Sequence, residues 1–113
     1  NACRVRRLIV DRVNEIFKNY DAIILPASGS CAPSFDKSTE QVTDEQVILE
    51  NHMAIGNFGG FPSITIPFTF VNDLPVGVNI TGRVMEDDIV LHIAKEIENI
   101  TGLKELKVGD RNV

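Results

Sequence analysis

The sequence predicts an α/β fold, a sheet with helices packed on it. Three observations carry this prediction. Residues 4–20 repeat apolar side chains at three- and four-residue steps, residues 22–26 form an unbroken apolar run, and residues 63–82 hold two alternating runs around a turn. The chain of 113 residues suffices for one domain with one core, and 43% hydrophobic with 24% charged residues is ordinary for a globular domain. Residues 3–113 read as one segment, and Asn1-Ala2 reads as the remnant of a cleaved affinity tag.

The first helix is predicted over 4–20, with Val5, Leu8, Ile9, Val13, Ile16, Phe17 and Tyr20 on its apolar side. Arg7 with Asp11, and Arg12 with Glu15, make weak surface pairs on the other side. Ala22 to Pro26 runs apolar without alternation, the pattern of a short strand buried on both faces. Residues 27–41 hold four serines and no periodicity, which predicts a long loop.

Thr43 and Gln46 form a capping box, with Val42 and Val47 as its staple. A helix is therefore predicted over 44–58. It is apolar on nearly all sides, as a buried helix is, except for Glu50, Asn51, His52 and Asn57. Gly59-Gly60 ends it. Strands are predicted over 63–70 and 76–82, joined by the five-residue turn "VNDLP". Pro67 cannot donate to a ladder, so an edge strand or a bulge is expected there. The last helix is predicted over 86–101. Glu86, Asp87 and Asp88 lie at its positive end, Val90, Ile93, Ala94, Ile97 and Ile100 form its buried stripe, and Gly102 caps it.

A net charge of −5 supplies no basic footprint for nucleic acid. The one basic cluster, Arg4, Arg6 and Arg7, is soon diluted by Asp11 and Glu15. Cys3 and Cys31 form no CxxC pair and read as reduced thiols of a cytoplasmic protein. No apolar run approaches the roughly 18 residues of a membrane span. No phosphate loop, H-E-x-x-H or paired-cysteine site is present, so no metal and no cofactor is expected in this chain.

Ser63 follows a Gly-Gly pair but begins a strand, whereas a nucleophile elbow places serine on a strand-to-helix turn. His52 reads as a packing residue and His92 as solvent-facing, so neither supplies a base. The hairpin then reads as structural, with Ser63, Thr65, Gly77 and Asn79 making a small face that another layer or a ligand can approach closely. Glu50 and Asn57 stand seven apart on one face of the predicted helix. They either satisfy nearby backbone and loop groups or line a pocket. In a pocket Glu50 attracts an ammonium group, and Asn57 offers a donor and an acceptor.

"YDAIILP" (Tyr20 to Pro26), the serine-rich loop, "NFGGFPSITIP" (Asn57 to Pro67), "LPVGVNITG" (Leu74 to Gly82) and the acidic helix start together resemble the C-terminal segment of amidase-signature enzymes. Within that family they are most similar to the A subunit of the glutamyl-tRNA(Gln)/aspartyl-tRNA(Asn) amidotransferase. The resemblance covers about residues 3–103. It implies a mixed sheet wrapped by helices and hydrolysis of an amide. In the tRNA-linked enzyme the amide is glutamine, and its ammonia passes through a partner protein to an activated acyl-tRNA.

The family's serine nucleophile, second serine and lysine lie in a glycine- and serine-rich stretch that this sequence does not contain. "ASGS" at 27–30 lacks the Gly-Gly-Ser-Ser pattern. The resemblance therefore assigns no catalytic residue here and implies that the chain alone is inactive. It matches Glu50 to the family's acidic residue for the α-amino group of glutamine. The family more typically has aspartate there, one methylene shorter. The arginine for the glutamine carboxylate is expected upstream, so the chain alone is expected to bind glutamine weakly or not at all.

The expected partners are the N-terminal half of the same polypeptide, the other amidotransferase subunits, and glutamine. Transfer RNA is met only through partners, and no membrane is expected. Apolar faces left without the N-terminal half predict self-association. The alternatives are a piece of another amidase-signature hydrolase of small amides, or a non-catalytic binding or assembly module.

Overall fold

The computed structural model describes residues 1–29, 31–32, 54–103 and 105. Its elements are α1 (Ala2–Ile16), β1 (Ala22–Pro26), α2 (Ala54–Gly59), β2 (Ser63–Val71), β3 (Leu74–Gly82) and α3 (Asp87–Thr101). Among the described residues the sheet has the order β1-β3-β2, and both pairings are antiparallel. Helices packed on a sheet agree with the predicted α/β class. The first ten residues of the helix predicted over 44–58 lie outside the described residues, as do His52 and most of the predicted loop.

The middle strand organises the molecule. Ile80 of β3 pairs with Ile24 on one side and Ile64 on the other, so these three point to the same face. On that face Ile66, fully buried Ile80, Val90 and Ala94 form one core, flanked by Ala22, Ile64, Val78, Ile93 and Ile97. The opposite face carries a second core of Val13, Phe17 and Phe61, flanked by Val10, Ile23 and Ile55. The Phe17 and Phe61 rings meet at 5.6 Å, tilted by 55°, a favourable aromatic geometry.

The hairpin turn is shorter than predicted. Val71 pairs directly with Leu74, leaving only Asn72 and Asp73 as the turn, with φ of 51° and 62°. Two positive φ values make the primed turn that matches strand twist, and Asn and Asp tolerate that region better than other side chains. Both devices expected at Pro67 occur together. β2 lies at a sheet edge, and the register shifts between Pro67 and Thr69. Pro75 is tolerated in β3 because β1 pairs with that strand only from Val78 to Gly82.

Five expectations are corrected. Helix α1 spans Ala2 to Ile16, with Asn1 as its N-cap accepting from the Cys3 amide at 2.9 Å. Residues 17–19 form turns, and Tyr20 is exposed. Of the predicted apolar side, Val13 and Phe17 are buried; Val5, Leu8, Ile9 and Ile16 face outward. Strand β1 is not buried on both faces: Ile24 is 53% exposed. The cause is that α3 packs over β2 and β3 and leaves β1 aside. The described part of the 44–58 helix has no buried residue, and Phe58 is 54% exposed. Helix α3 keeps its expected Gly102 cap, with φ of 70° and its amide on the Glu98 carbonyl at 2.9 Å. Ile100 of its predicted stripe is exposed, and Leu103, beyond the left-handed cap, is buried instead.

Arg83 ties these parts together. It leaves β3 and reaches the end of α1, where the Phe17 and Tyr20 carbonyls both accept from it; the Tyr20 bond is 3.0 Å. Its third nitrogen lies 3.2 Å from both Asp21 and Glu86. A helix C-terminus leaves carbonyls unpaired and favours a cation, and α1 has no basic residue in its own last turn. The hydrogen bond to Glu86, ahead of that to Asp21, holds the guanidinium pKa above its ordinary value despite partial desolvation.

Ile80→Ala is expected to cost about 2–5 kcal/mol in chemical denaturation, because it opens a cavity under α3. Arg83→Gln is expected to lower the melting temperature more than Arg12→Gln does, since Arg12 makes only an exposed pair with Glu15. A raised folded pKa gives stability that is present below the unfolded value and lost only as pH rises through the folded value. That window lies above the ordinary arginine range, so the Arg83→Gln deficit is expected to be equal at pH 7 and pH 9.

Candidate functional site

The face of the sheet that carries the Phe17–Phe61 core is also its small, polar face. Ser63 and Thr65 of β2 lie opposite Thr81 and Asn79 of β3 there. Asn79 is 4% exposed, so its amide must be satisfied internally. Its Nδ2 donates to Ser63 Oγ at 2.7 Å, Thr65 Oγ1 at 3.2 Å and the Ile64 carbonyl at 3.3 Å. The Ile64 carbonyl can only accept, which fixes the orientation of the amide.

Proton counting then closes a ring. Thr81 Oγ1 lies 3.0 Å from Asn79 Oδ1 and 3.4 Å from Ser63 Oγ. Asn79 Oδ1 only accepts, so the single Thr81 proton goes there. The Ser63 proton is then the one that serves the Ser63–Thr81 contact. Asn79, Ser63 and Thr81 thus donate round a closed circuit, an arrangement in which each bond polarises the next. Ser63 is occupied as a structural hydroxyl, as its position at the start of a strand predicted.

Helix α2 sits on this floor. Gly56 and Gly59, three apart, share its underside. A Cβ on Gly56 would lie 3.4 Å from Ser63 Cβ, and one on Gly59 would lie 2.1 Å from the Phe61 ring. At Gly59 only glycine allows so close an approach, whereas a Cβ at Gly56 would sit at ordinary contact distance. The Phe61 amide then donates to the Gly56 carbonyl at 3.1 Å and folds the chain from α2 into β2. From the α1 side, Arg6 Nε donates to the Phe58 carbonyl at 2.7 Å.

Of the two predicted substrate contacts, Asn57 lies on α2 and is exposed, next to Gly56. Glu50 lies outside the described residues. His92 is exposed, as expected. Among the described residues no group of His, Cys, Asp and Glu is placed to hold a metal ion. No described helix is long and apolar enough to cross a membrane.

A groove of about 670 Å³ opens at the other end of the sheet, where β1 stops and the loop after it begins. Pro26, Ser28, Cys31, Phe68, Val71 and Val76 are among its lining. Phe68 is the residue displaced by the bulge after Pro67. No described lining residue carries a charge, and Asn57 is not among them. A zwitterion would therefore find no counter-charge from the described walls. No described residue of α2 lines this groove. Cys31 and Cys3 are both free thiols.

Arg83 and the Asn79 ring were not legible as functional or structural sites in the sequence. The ring's one advance sign was the set of small polar residues on the inward side of the hairpin. Arg83 gave none, because the Phe17 and Tyr20 carbonyls and the Asp21 carboxylate that it meets are distant in the chain.

Comparison with known proteins agrees with this architecture. The Amidase family model matches residues 1–91. The chain is 38% identical over 97 residues to the A subunit of glutamyl-tRNA(Gln) amidotransferase from Thermotoga maritima, covering 86% of this chain and 20% of that protein. The corresponding protein of Sulfurisphaera tokodaii is 30% identical over 93% of this chain and 22% of its own length. The crystal structure of the Thermotoga maritima protein superposes with a TM-score of 0.80 at 35% identity, over 90% of this chain and 22% of that one. The chain thus spans about a fifth of the length of the relatives it matches. By family match, by identity and by fold, the chain belongs to the amidase family.

Proposed function

We propose that this chain is the C-terminal part of the A subunit of a glutamine-hydrolysing amidotransferase. Its complete enzyme would release ammonia for amidating mischarged Glu-tRNA(Gln) or Asp-tRNA(Asn). The observation that carries this reading is the 38% identity, across most of the chain, to a protein of that name. The superposition on the solved Thermotoga maritima protein supports it at 35% identity.

In this reading the chain supplies part of the substrate wall and none of the nucleophilic chemistry. Ser63 is committed to the ring with Asn79 and Thr81, and acyl transfer needs a nucleophile with a base beside it. The chain alone is then inactive. Glu50 would meet the α-amino group of glutamine as a counter-ion. Asn57, exposed on α2, would offer its amide to the same ligand. The absence of charge from the described groove supports giving the ammonium contact to Glu50 rather than to the groove.

The partners of this reading are the N-terminal remainder of the same polypeptide and the other amidotransferase subunits, with tRNA met only through them, in the cytoplasm. The outward apolar residues Val5, Leu8, Ile9 and Ile16 of α1, with Phe58 of α2, would then be covered by chain. Isolated, this surface is expected to drive self-association.

In the complete enzyme with its partners, Glu50→Gln is expected to raise KM for glutamine about tenfold while kcat falls less. The change removes binding shared by the ground and transition states. An unchanged KM would discard Glu50 as the ammonium contact. A complete enzyme that hydrolyses aryl or alkyl amides but not glutamine would overturn the reading itself. For the isolated chain, light scattering after size exclusion is expected to show a mass that rises with concentration, and less so for Leu8→Glu. A monomer at every concentration would contradict the uncovered-surface argument.

A further inference from the structure

We propose that the Asn79–Ser63–Thr81 ring is a positioning device for α2, and through α2 for Asn57. The proposal rests on the assignment of Asn57 to the substrate wall only in its last step.

The geometry runs upward from the ring. Asn79 is buried and bonded through both ends of its amide, so its place is determined by three partners on β2 and one on β3. Those bonds hold Ser63 at the first position of β2. Gly56 faces Ser63 and the Phe61 carbonyl, near enough that a Cβ on it would touch both, and its carbonyl accepts from the Phe61 amide at 3.1 Å. Gly59 lies more tightly against the Phe61 ring, which is itself held by Phe17. Two points of contact, three residues apart, set the height and roll of a six-residue helix. Asn57 follows Gly56 directly, so its direction is set by the same two contacts. The described turns of α2 take their position from what they touch.

The ring is also more than this hairpin needs. Antiparallel strands with an apolar face are already held by their ladder and by α3. Burying an asparagine among small hydroxyls costs desolvation that an apolar residue would avoid, unless a defined position is what it provides. Asn79, Ser63 and Thr81 are positioning residues in this sense, since none is assigned to touch a substrate.

The test compares Thr81→Val, which opens the ring without changing shape, with Asn79→Leu and the longer amide of Asn79→Gln. Native-state hydrogen exchange on the complete protein reads the Phe61 amide, bonded to Gly56, against the Gly102 amide at the end of α3. Selective acceleration at Phe61 is expected, at least about tenfold beyond any change at Gly102, in Thr81→Val. Equal acceleration at both amides would mean the ring only adds global stability, and no acceleration would mean it holds nothing; either overturns the proposal. Should Asn79→Leu fail to fold, the isosteric Thr81→Val still decides.

In the complete enzyme the same variant is expected to raise KM for glutamine by about fivefold with kcat within about twofold, and Asn79→Gln to restore part of the affinity lost in Asn79→Leu. Selective exchange at Phe61 together with an unchanged KM would remove Asn57 from the substrate wall while leaving the anchoring of α2 in place.

Discussion

The arrangement depends on one cation. Arg83 stands at the exit of the middle strand, and its guanidinium meets the end of α1, Asp21 before β1 and Glu86 before α3. Two segments far apart in sequence, residues 17–21 and 83–86, are thereby held at one corner of the sheet. The planar fork suits this task, because it can meet two carbonyls and two carboxylates at fixed angles at once. A lysine would carry the same charge with no such geometry. The second core depends on this corner, since Phe17 both packs on Phe61 and gives its carbonyl to Arg83. If α1 were to swing away, α2 would lose its neighbour and the contact from Arg6.

The two faces of the sheet divide the work. One is aliphatic, closed by Val90 and Ala94 of α3, and serves stability. The other is built from small polar side chains, and α2 meets it through Gly56 near Ser63 and through Gly59 against the Phe61 ring. Close approach between small residues transmits position more faithfully than a layer of long side chains, which can repack. That face leads to α2 and Asn57, whereas the groove near Cys31 is apolar and uncharged among its described walls. Asn57 thus stands on the helix that meets the polar face, and the described residues of the groove belong to a different surface.

Much of the fold was legible because local patterns determined it. β1 was read to its observed ends from an unbroken apolar run bounded by Asp21 and Pro26, and Gly102 marked the end of α3. The double function of Pro67, at an edge and beside a bulge, followed from its missing N–H. Other features depend on what lies across space. The outward apolar side of α1 cannot be told from its inward side by periodicity, since both are apolar. The hairpin turn was read as five residues because Val71, Leu74 and Pro75 look like turn flanks, yet Asn72 and Asp73 suffice. β1 looked central because its residues are apolar, but α3 covers other strands. Asn57 was legible as a polar exception in an apolar helix; the ring beneath it was not, because hydroxyls and amides declare no partner until the strands are paired.

The central claim is that these residues act as part of a much longer amidase-family protein. It is tested most directly by the size of the protein that carries them. An immunoblot of source-cell lysate with an antibody raised against this chain is expected to show a band several times larger than the 12.5 kDa of these 113 residues. A single band at 12.5 kDa would contradict the account. The cell would then make the chain alone, and the substrate wall would have no nucleophile to serve.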